Sequence, residues 1–276
     1  MVFKSIQSRS IPWEDPFTKD DLAVMSEMGI QALVGAGRLK GRYTSFSQAL
    51  WDFKSHADVG MLWAFGHLPL AEFQSGRVFD FPNLRVSDEV RKIGYTRGNI
   101  SGLSVLDFSA GFGRDTLYLL KQGANVHAIE PAPQAIDFIK YWANVYGERF
   151  PSVGQLTWQH AGYRDFDLGG RQFDLVLNID ALNDARDEKT VCDFIRAMQG
   201  CTKVGGVHIL EVFNSKDPII KKGFRPEGSM LQDLYSTSSS SGGWKDRGSK
   251  QDEPSPWGFD FKTTRHRSIV YAGKTG

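Results

Sequence analysis

The segment Ser104–Leu120, SVLDFSAGFGRDTLYLL, decides the fold of the chain. Its first apolar residues predict a buried parallel strand, and the small residues Ala110, Gly111 and Gly113 allow the backbone to turn sharply. The leucines that follow begin the repeat of a helix. A strand, a tight turn and a helix start in this order place backbone N–H groups over the turn, where they suit a carboxylate or a phosphate.

A second acidic residue narrows the choice of ligand. Residues 125–129 form a second predicted strand, and Glu130 lies at its carboxyl end, 23 residues beyond Asp107. A carboxylate in this place can hydrogen-bond a ribose diol. A dinucleotide site would have G-x-G-x-x-G, whereas here Ser109 precedes the two glycines and Arg114 follows them. The spacing weakens the interpretation as a pyrophosphate site.

The motif VLDFSAGFG resembles the first motif of the class I S-adenosylmethionine-dependent methyltransferases, V-L-D-x-G-x-G-x-G, with Ser109 in place of the first glycine. The following GRDTLYL and GANVHAIE segments are similar to small-molecule and tellurite-resistance-type members of that family. The resemblance extends roughly from Gly102 to Val212 and includes the strand-like FDLVLN at 173–178. It implies a Rossmann-like fold with S-adenosylmethionine as the cofactor.

The resemblance also implies roles for individual residues. Asp107 and the turn at 110–113 would hold the methionine end of the cofactor, Glu130 the ribose hydroxyls, and residues around His160 the adenine. Many relatives have an acid at the position of His160, so the adenine amino group is left here to a main-chain group or to Asp165. No metal site is implied. The implied cofactor-binding residues are Asp107, Ser109, Ala110, Gly111, Gly113, Arg114, Glu130, Pro131, His160, Ala161, Asn178 and Ile179.

The candidate catalytic residues are His160, Tyr163 and Asp180. His160 follows a third predicted strand at 155–159, at the edge of the sheet where ligands bind, and either a catalytic base or a pocket wall fits that position. Asn178 and Asp180 come where the fourth strand ends, and such groups could neutralise a cationic acceptor or orient a nucleophile. Asp187, by contrast, is predicted to cap a helix over 188–199.

The order of elements after Gly102 predicts an α/β fold, because alternating strands and helices favour a parallel sheet with right-handed crossovers. With the resemblance, the prediction is a Rossmann-like, doubly wound, mostly parallel sheet of seven strands with an N-terminal helical cap. A turn at 202–206 is expected to enter a fifth strand at 207–213. The last two strands, antiparallel, are expected around 259–261 and 268–271, with a turn at 263–266.

Residues 1–100 differ in character from the rest. Helices are expected near 19–36, 45–56 and 87–94, and the abundant aromatic residues fit either the core of a helical cap or the wall of a substrate pocket. Residues 101–276 are predicted to form the cofactor-binding domain. Within it, the Ser-, Gly- and charge-rich composition at about 214–258 predicts a lid.

Composition narrows the partners. A formal net charge of +1 in 276 residues gives no indication of nucleic acid or of a membrane surface, so a small-molecule substrate is expected, and a homodimer is left open. The two cysteines, Cys192 and Cys201, predict neither a disulfide framework nor a metal cluster. This cysteine content fits a reduced, cytoplasmic setting, and because no continuous apolar stretch follows Met1, we expect neither a signal peptide nor a spanning helix.

The expected reaction is methyl transfer to the nitrogen or oxygen of a small molecule. Two alternatives remain open. The cofactor could react with itself, as in azetidine-forming lyases that resemble methyltransferases and release methylthioadenosine. The chain could also be a binding module that only senses or sequesters S-adenosylmethionine. The polar residues after the fourth strand, Asn178 and Asp180 among them, favour an enzyme over such a module.

Overall fold

The structure is a computed structural model. It describes residues 84–111, 113–131, 133–149, 152–179, 181–182, 185–216, 224–236, 243–255 and 265–276. The helices expected near 19–36 and 45–56 and the strand expected around 259–261 lie outside these residues, as does Asp180. The third helix expected near the N-terminus is present and is longer than predicted, Leu84–Arg97 rather than 87–94.

A single mixed sheet forms the centre of the fold. Five helices accompany it in the part of the chain that the structure describes: α1 (Leu84–Arg97), α2 (Arg114–Lys121), α3 (Pro133–Arg149), α4 (Glu188–Cys201) and α5 (Gly228–Ser236). The strands are β1 (Ser104–Phe108), β2 (Asn125–Glu130), β3 (Leu156–His160), β4 (Phe173–Ile179), β5 (Thr202–Phe213), β6 (Trp244–Asp246), β7 (Lys250–Ser255) and β8 (Arg265–Lys274).

The strand order is β3-β2-β1-β4-β5-β8-β6, and β7 also pairs with β8. The first five strands are mutually parallel, whereas β8 runs antiparallel to β5, β6 and β7. The predicted mostly parallel Rossmann-like sheet is therefore confirmed, with seven strands along its main path. The order reverses direction between β1 and β4, and such a switch point is where open α/β sheets bind ligands.

Both faces of the sheet are covered, which confirms the doubly wound arrangement. Val105 and Val126 point to the face packed by α1, α2 and α3. Leu106 and Val176 point to the opposite face, packed by α4 and α5. Because successive residues of a strand face opposite sides, apolar residues at consecutive positions are required to bury both faces. Asp187 caps α4 as predicted, accepting a hydrogen bond from the backbone N–H of Thr190.

Two strand boundaries and two additional strands differ from the sequence-based expectation. Residues 202–206, predicted as a turn, belong to β5, which pairs with β4 through a register irregularity between Phe173 and Leu175. Residues 265–266, also predicted as a turn, begin β8. Strands β6 and β7 lie within the segment predicted as a lid, where the polar composition gave no strand signal.

A cluster of polar side chains ties α1 to the last strand near the amino ends of the parallel strands. The Tyr271 hydroxyl donates to the buried carboxylate of Glu89, 182 residues earlier in the chain, and the Lys92 ammonium donates to the Tyr271 oxygen at 2.7 Å. Arg247 donates to the other oxygen of Glu89 at 3.0 Å. The cluster fixes α1 against β8.

None of the helices in the described part of the chain has the length and apolarity needed to span a membrane.

Candidate functional site

The turn after β1 has the strained geometry expected of a ligand-binding loop. Ser109 has φ 65°, and Gly111 and Gly113 have φ 55° and 82°. The N–H groups of Ser109 and Ala110 both donate to the Ile129 carbonyl, at 2.8 and 3.1 Å, and hold the turn against the end of β2. Ser109, which replaces a glycine of the family motif, accepts a left-handed conformation that side chains other than Asn and Asp seldom adopt.

The two glycines of the turn have different surroundings. A Cβ added to Gly113 would lie 2.6 Å from Cγ1 of Ile139, so this glycine allows α3 to pack closely on the start of α2. A Cβ added to Gly111 would meet nothing within 4 Å. Gly111 therefore faces open space, and Gly113 faces the core.

Asp107 is a buried acid with several charged neighbours. Only 4% of it is exposed, and Oδ2 accepts a hydrogen bond of 2.6 Å from the Thr116 hydroxyl in the first turn of α2. Burial, and next the negative charge of Asp115, raise the pKa of Asp107 from 3.8 to about 7, while the Thr116 bond and the Arg114 charge act in the other direction. The carboxylate is thus held ready for a cationic or hydrogen-bond-donating ligand, whose approach would favour its ionised form.

Glu130, the last residue of β2, is also buried, at 7% exposure. Its Oε2 accepts a hydrogen bond of 2.9 Å from the Gly111 N–H. Asp107 and Glu130 both lie on the face covered by α2 and α3, because Asp107 is level with Ala128 on β2 and Glu130 is two residues further along the same face. The two carboxylates and the glycine turn therefore occupy one corner of the site.

His160 lies next to this corner. It ends β3 and is the register partner of Glu130, so both side chains project from the same face of the sheet. Its Nε2 lies 2.7 Å from the carbonyl oxygen of Pro131. Because a carbonyl only accepts, Nε2 carries the hydrogen, and Nδ1 is the nitrogen left for a further contact.

The residues after β3 lead to the other face. Ala161 is buried, and Tyr163 packs against the cluster beneath α4 and α5. The Tyr163 hydroxyl accepts a bond of 3.2 Å from Arg164. Asp165, the alternative adenine contact, accepts the Gly162 N–H at 2.7 Å, so one of its oxygens already stabilises the local turn.

Asn178 and Ile179, consecutive residues of β4, face opposite sides. Ile179 packs into the cluster beneath α1, α2 and α3, on the side of Asp107 and Glu130. The side chain of Asn178 is fully buried on the other side, where Oδ1 contacts Nε2 of His208. The Asn178 side chain is therefore not grouped with the two carboxylates. Its backbone is nevertheless level with Phe108, at the same carboxyl edge of the sheet.

Two neighbours of Asp107 were not predicted. Thr116 is fully buried and bonds Asp107, and Asp115 is buried and pairs with Arg114 at 2.6 Å. Arg114, a predicted cofactor residue, thus has its guanidinium engaged by its chain neighbour. The signal that could have identified them is the polar run Arg114–Thr116 in the first turn of a helix that follows a glycine turn.

The structure places several of the predicted site residues together, while their roles stay predictions. The glycine turn, Asp107, Glu130, Pro131 and His160 are brought together at the carboxyl edge, whereas Asp180 lies outside the described residues. Across the part of the chain that the structure describes, no group of three or more His, Cys, Asp or Glu side chains is arranged to hold a metal ion.

Comparison with known proteins finds one matching family profile and several solved structures of similar fold. The family profile described as "Methyltransferase domain" matches residues 105–206, from β1 into β5. No curated protein matches the chain by sequence.

Two solved structures of one enzyme share the fold, and the structure of a second protein resembles it less closely. Magnesium protoporphyrin IX methyltransferase (ChlM) from Synechocystis PCC 6803, with bound SAM, has a TM-score of 0.51 and 17% identity, over 77% of this chain and 89% of that one. The same enzyme with bound SAH has a TM-score of 0.51 and 15% identity, over 69% and 82%. TehB from Haemophilus influenzae has a TM-score of 0.49 and 17% identity over 68% of this chain, and the match spans 62% of TehB, less than two thirds of its length.

Proposed function

We propose that the chain is a class I S-adenosylmethionine-dependent methyltransferase, because its residues 105–206 match the methyltransferase-domain profile, and that it transfers the methyl group of that cofactor to a small-molecule acceptor. The observation that carries the proposal is the pair of buried carboxylates, Asp107 and Glu130, on one face of the sheet beside the glycine turn. S-adenosylmethionine presents an ammonium, a sulfonium and a ribose diol, all of which suit carboxylate partners.

The residues present fit this cofactor. The corner holds more negative than positive charge, since Asp107, Asp115 and Glu130 are offset by Arg114 alone among the groups that shift the pKa of Asp107. A cationic ligand would relieve this excess. Asp107 would hold the ammonium end, Glu130 the ribose hydroxyls, and Gly111 leaves room for close approach because nothing lies within 4 Å of its Cβ position.

When bound, S-adenosylmethionine supplies a methyl group already activated by the adjacent sulfonium. The chain's own residues then have mainly to orient the acceptor and to exclude water. A hydroxyl acceptor would need a proton acceptor as well. His160 is suited to that role because Pro131 fixes its Nε2 as the donor and leaves Nδ1 able to accept a proton.

A small-molecule acceptor is favoured by the sequence of residues 1–100. Its many aromatic side chains are typical of a closed pocket rather than of a surface that docks a macromolecule. Residues 1–100 and 214–258 are proposed as the acceptor side of the site, and a soluble cytoplasmic enzyme remains the proposal for its setting.

One experiment tests the function without a guessed acceptor. The full-length protein is incubated with S-adenosylmethionine, alone and together with a protein-free metabolite extract, and the sulfur product is identified by mass. S-adenosylhomocysteine formed only with extract is the expected result. Methylthioadenosine formed without extract would instead support the lyase, and the absence of both products would support a binding module.

Matched variants connect the result to the site. Glu130→Gln removes a carboxylate from the corner and should reduce product formation at limiting cofactor. Asp174→Asn removes a hydrogen-bonded carboxylate near the start of β4, at the amino edge of the sheet. This variant should leave product formation at limiting cofactor unchanged. Equal losses in both variants would contradict the proposed position of the cofactor.

A further inference from the structure

A chain of three buried side chains links α5, β5 and the end of β4. The Tyr235 hydroxyl contacts Nδ1 of His208, and Nε2 of His208 contacts Oδ1 of Asn178. His208 and Asn178 are fully buried, and Tyr235 is 5% exposed. No group of the proposed mechanism uses this chain.

The direction of the hydrogen bonds follows from the groups themselves. Burial lowers the pKa of His208 to about 3, so its ring is neutral and carries one hydrogen. Because Oδ1 of Asn178 can only accept, that hydrogen is on Nε2, and the Tyr235 O–H donates to Nδ1. The reverse direction would leave both the Tyr235 hydrogen and the Asn178 carbonyl without partners, which is two unsatisfied groups instead of one.

The one unsatisfied group is the amide nitrogen of Asn178. It is buried and has no hydrogen-bond partner, although it carries two donors. Buried donors are nearly always paired, so this nitrogen requires an explanation. A donor kept in reserve for a bound ligand provides one.

The position of the amide indicates where its nitrogen is directed. Asn178 is the residue before the last of β4, level with Phe108 at the end of β1. His208 lies level with Val176, two residues nearer the amino edge, so Oδ1 is directed back along the sheet. Since the two heteroatoms of a planar amide diverge, the nitrogen is turned away from His208 and towards the carboxyl edge.

We propose that Tyr235 and His208 are positioning residues that hold the Asn178 amide with its nitrogen as a hydrogen-bond donor for the acceptor substrate, which therefore presents a carbonyl or carboxylate oxygen. The proposal rests on the proposed methyl transfer and adds the chemical class of its acceptor. The acceptor rather than the cofactor is assigned to Asn178 because the Asn178 side chain lies on the opposite face from Asp107 and Glu130.

The test combines two variants with a control. Asn178→Asp keeps the shape and an oxygen that accepts from His208, but replaces the donors. Tyr235→Phe removes only the hydroxyl and keeps the ring, whose centroid lies 5.1 Å from that of the Trp244 ring. Tyr271→Phe, the control, removes the hydroxyl of another buried tyrosine that bonds Glu89 near the other edge.

Initial rates of S-adenosylhomocysteine formation are measured at saturating S-adenosylmethionine over a dilution series of the metabolite extract. The affinity of each variant for S-adenosylhomocysteine is measured separately by calorimetry. We expect Asn178→Asp to raise the extract concentration for half-maximal rate by about 30-fold or more and Tyr235→Phe by about 3- to 10-fold, the range for a lost hydrogen bond. S-adenosylhomocysteine affinity should stay within about twofold of the wild type in both, and Tyr271→Phe should change neither quantity, as expected when only the acceptor contact is lost.

Nitrogen-15 NMR of the ring of His208 gives an independent readout. The wild type should show the Nε2–H tautomer, and Tyr235→Phe should show a mixture of both tautomers. An Nδ1–H tautomer in the wild type would overturn the proposal, as would unchanged half-maximal concentrations in both variants or an equal effect of Tyr271→Phe. Absence of product in the wild type would refute the proposed function and this inference together, whereas an active Asn178→Asp variant with wild-type behaviour refutes this inference alone.

Discussion

The Thr116 hydroxyl donates to Oδ2 of Asp107 at 2.6 Å and joins the end of β1 to the first turn of α2. The bond stabilises the charged form of a carboxylate that burial otherwise disfavours. Asp107 therefore has a pKa near neutrality, where ligand binding and folding both depend on its ionisation.

Cofactor affinity should depend on pH. The pKa of Asp107 is about 7 without ligand, and a ligand ammonium favours the ionised carboxylate. Affinity for S-adenosylhomocysteine should therefore fall as the pH drops below about 7, by up to roughly tenfold per pH unit. Calorimetry across this range measures the effect. Asp107→Asn should bind more weakly and lose this dependence, and a wild-type affinity independent of pH would contradict the assignment.

The same residue should destabilise the ligand-free protein at alkaline pH. Its folded pKa of about 7 lies above the ordinary aspartate value of 3.8, so its stabilising contribution is complete below about pH 4 and is lost as the pH rises through 7. Asp107→Asn should therefore be more stable than the wild type at pH 8, by a few kcal/mol at most. Urea unfolding at pH 5 and pH 8 tests this, and the gain should be smaller at pH 5.

Glu130→Ala should weaken cofactor binding by roughly 1–3 kcal/mol, because a buried hydroxyl pair would lose its acceptor and the Gly111 N–H its partner. Calorimetry with S-adenosylmethionine and, in parallel, with a dinucleotide measures the loss and the ligand class. Binding of the dinucleotide alone would overturn the cofactor assignment.

Gly113→Ala should be strongly destabilising because the new Cβ would lie 2.6 Å from Cγ1 of Ile139, in addition to the strain of φ 82°. The backbone strain alone costs about 1–2 kcal/mol. Gly102→Ala is a matched control, since it has φ 77° and nothing within 4 Å of the added Cβ. Chemical denaturation should show a larger loss for Gly113→Ala, and adding Ile139→Ala should make the further cost of Gly113→Ala similar to that of the control.

Arg267 and Glu211 form an ion pair of 3.1 Å at 5% side-chain exposure each. Arg267→Met should lower the free energy of unfolding by about 3–5 kcal/mol, because it leaves a carboxylate buried without this partner. The double variant Arg267→Met with Glu211→Leu should recover much of the loss. Thermal and urea unfolding of the three proteins measure the coupling, and an additive result would contradict it.

The sequence predicted the parallel half of the sheet well, because its strands are apolar on both faces and each is followed by a helix or a glycine turn. For the same reason, the sequence does not show which face of the sheet the Asn178 side chain takes. A strand without alternating polarity does not indicate which face an isolated polar residue takes. The prediction placed Asn178 with the cofactor residues, whereas its side chain bonds His208 on the other face.

The antiparallel half was predicted less well, since strands such as β7, KQDEPS, are polar and contain a proline. They are strands because β8 offers them a hydrogen-bonding edge, and this tertiary contact outweighs their low intrinsic strand propensity. Thr116 was missed for a related reason, because its importance comes from facing Asp107 and not from its own neighbours in the sequence.

The bond between Glu89 and Tyr271, across 182 residues, has a consequence for biosynthesis. While the chain is being translated, α1 emerges long before β8, so the Glu89 carboxylate cannot accept the Tyr271 hydrogen bond until β8 has left the ribosome. Domains generally fold as units during synthesis, and here the unit cannot close until its last strand is made. The docking of α1 against β8 is therefore a late step in the folding of the described part of the chain.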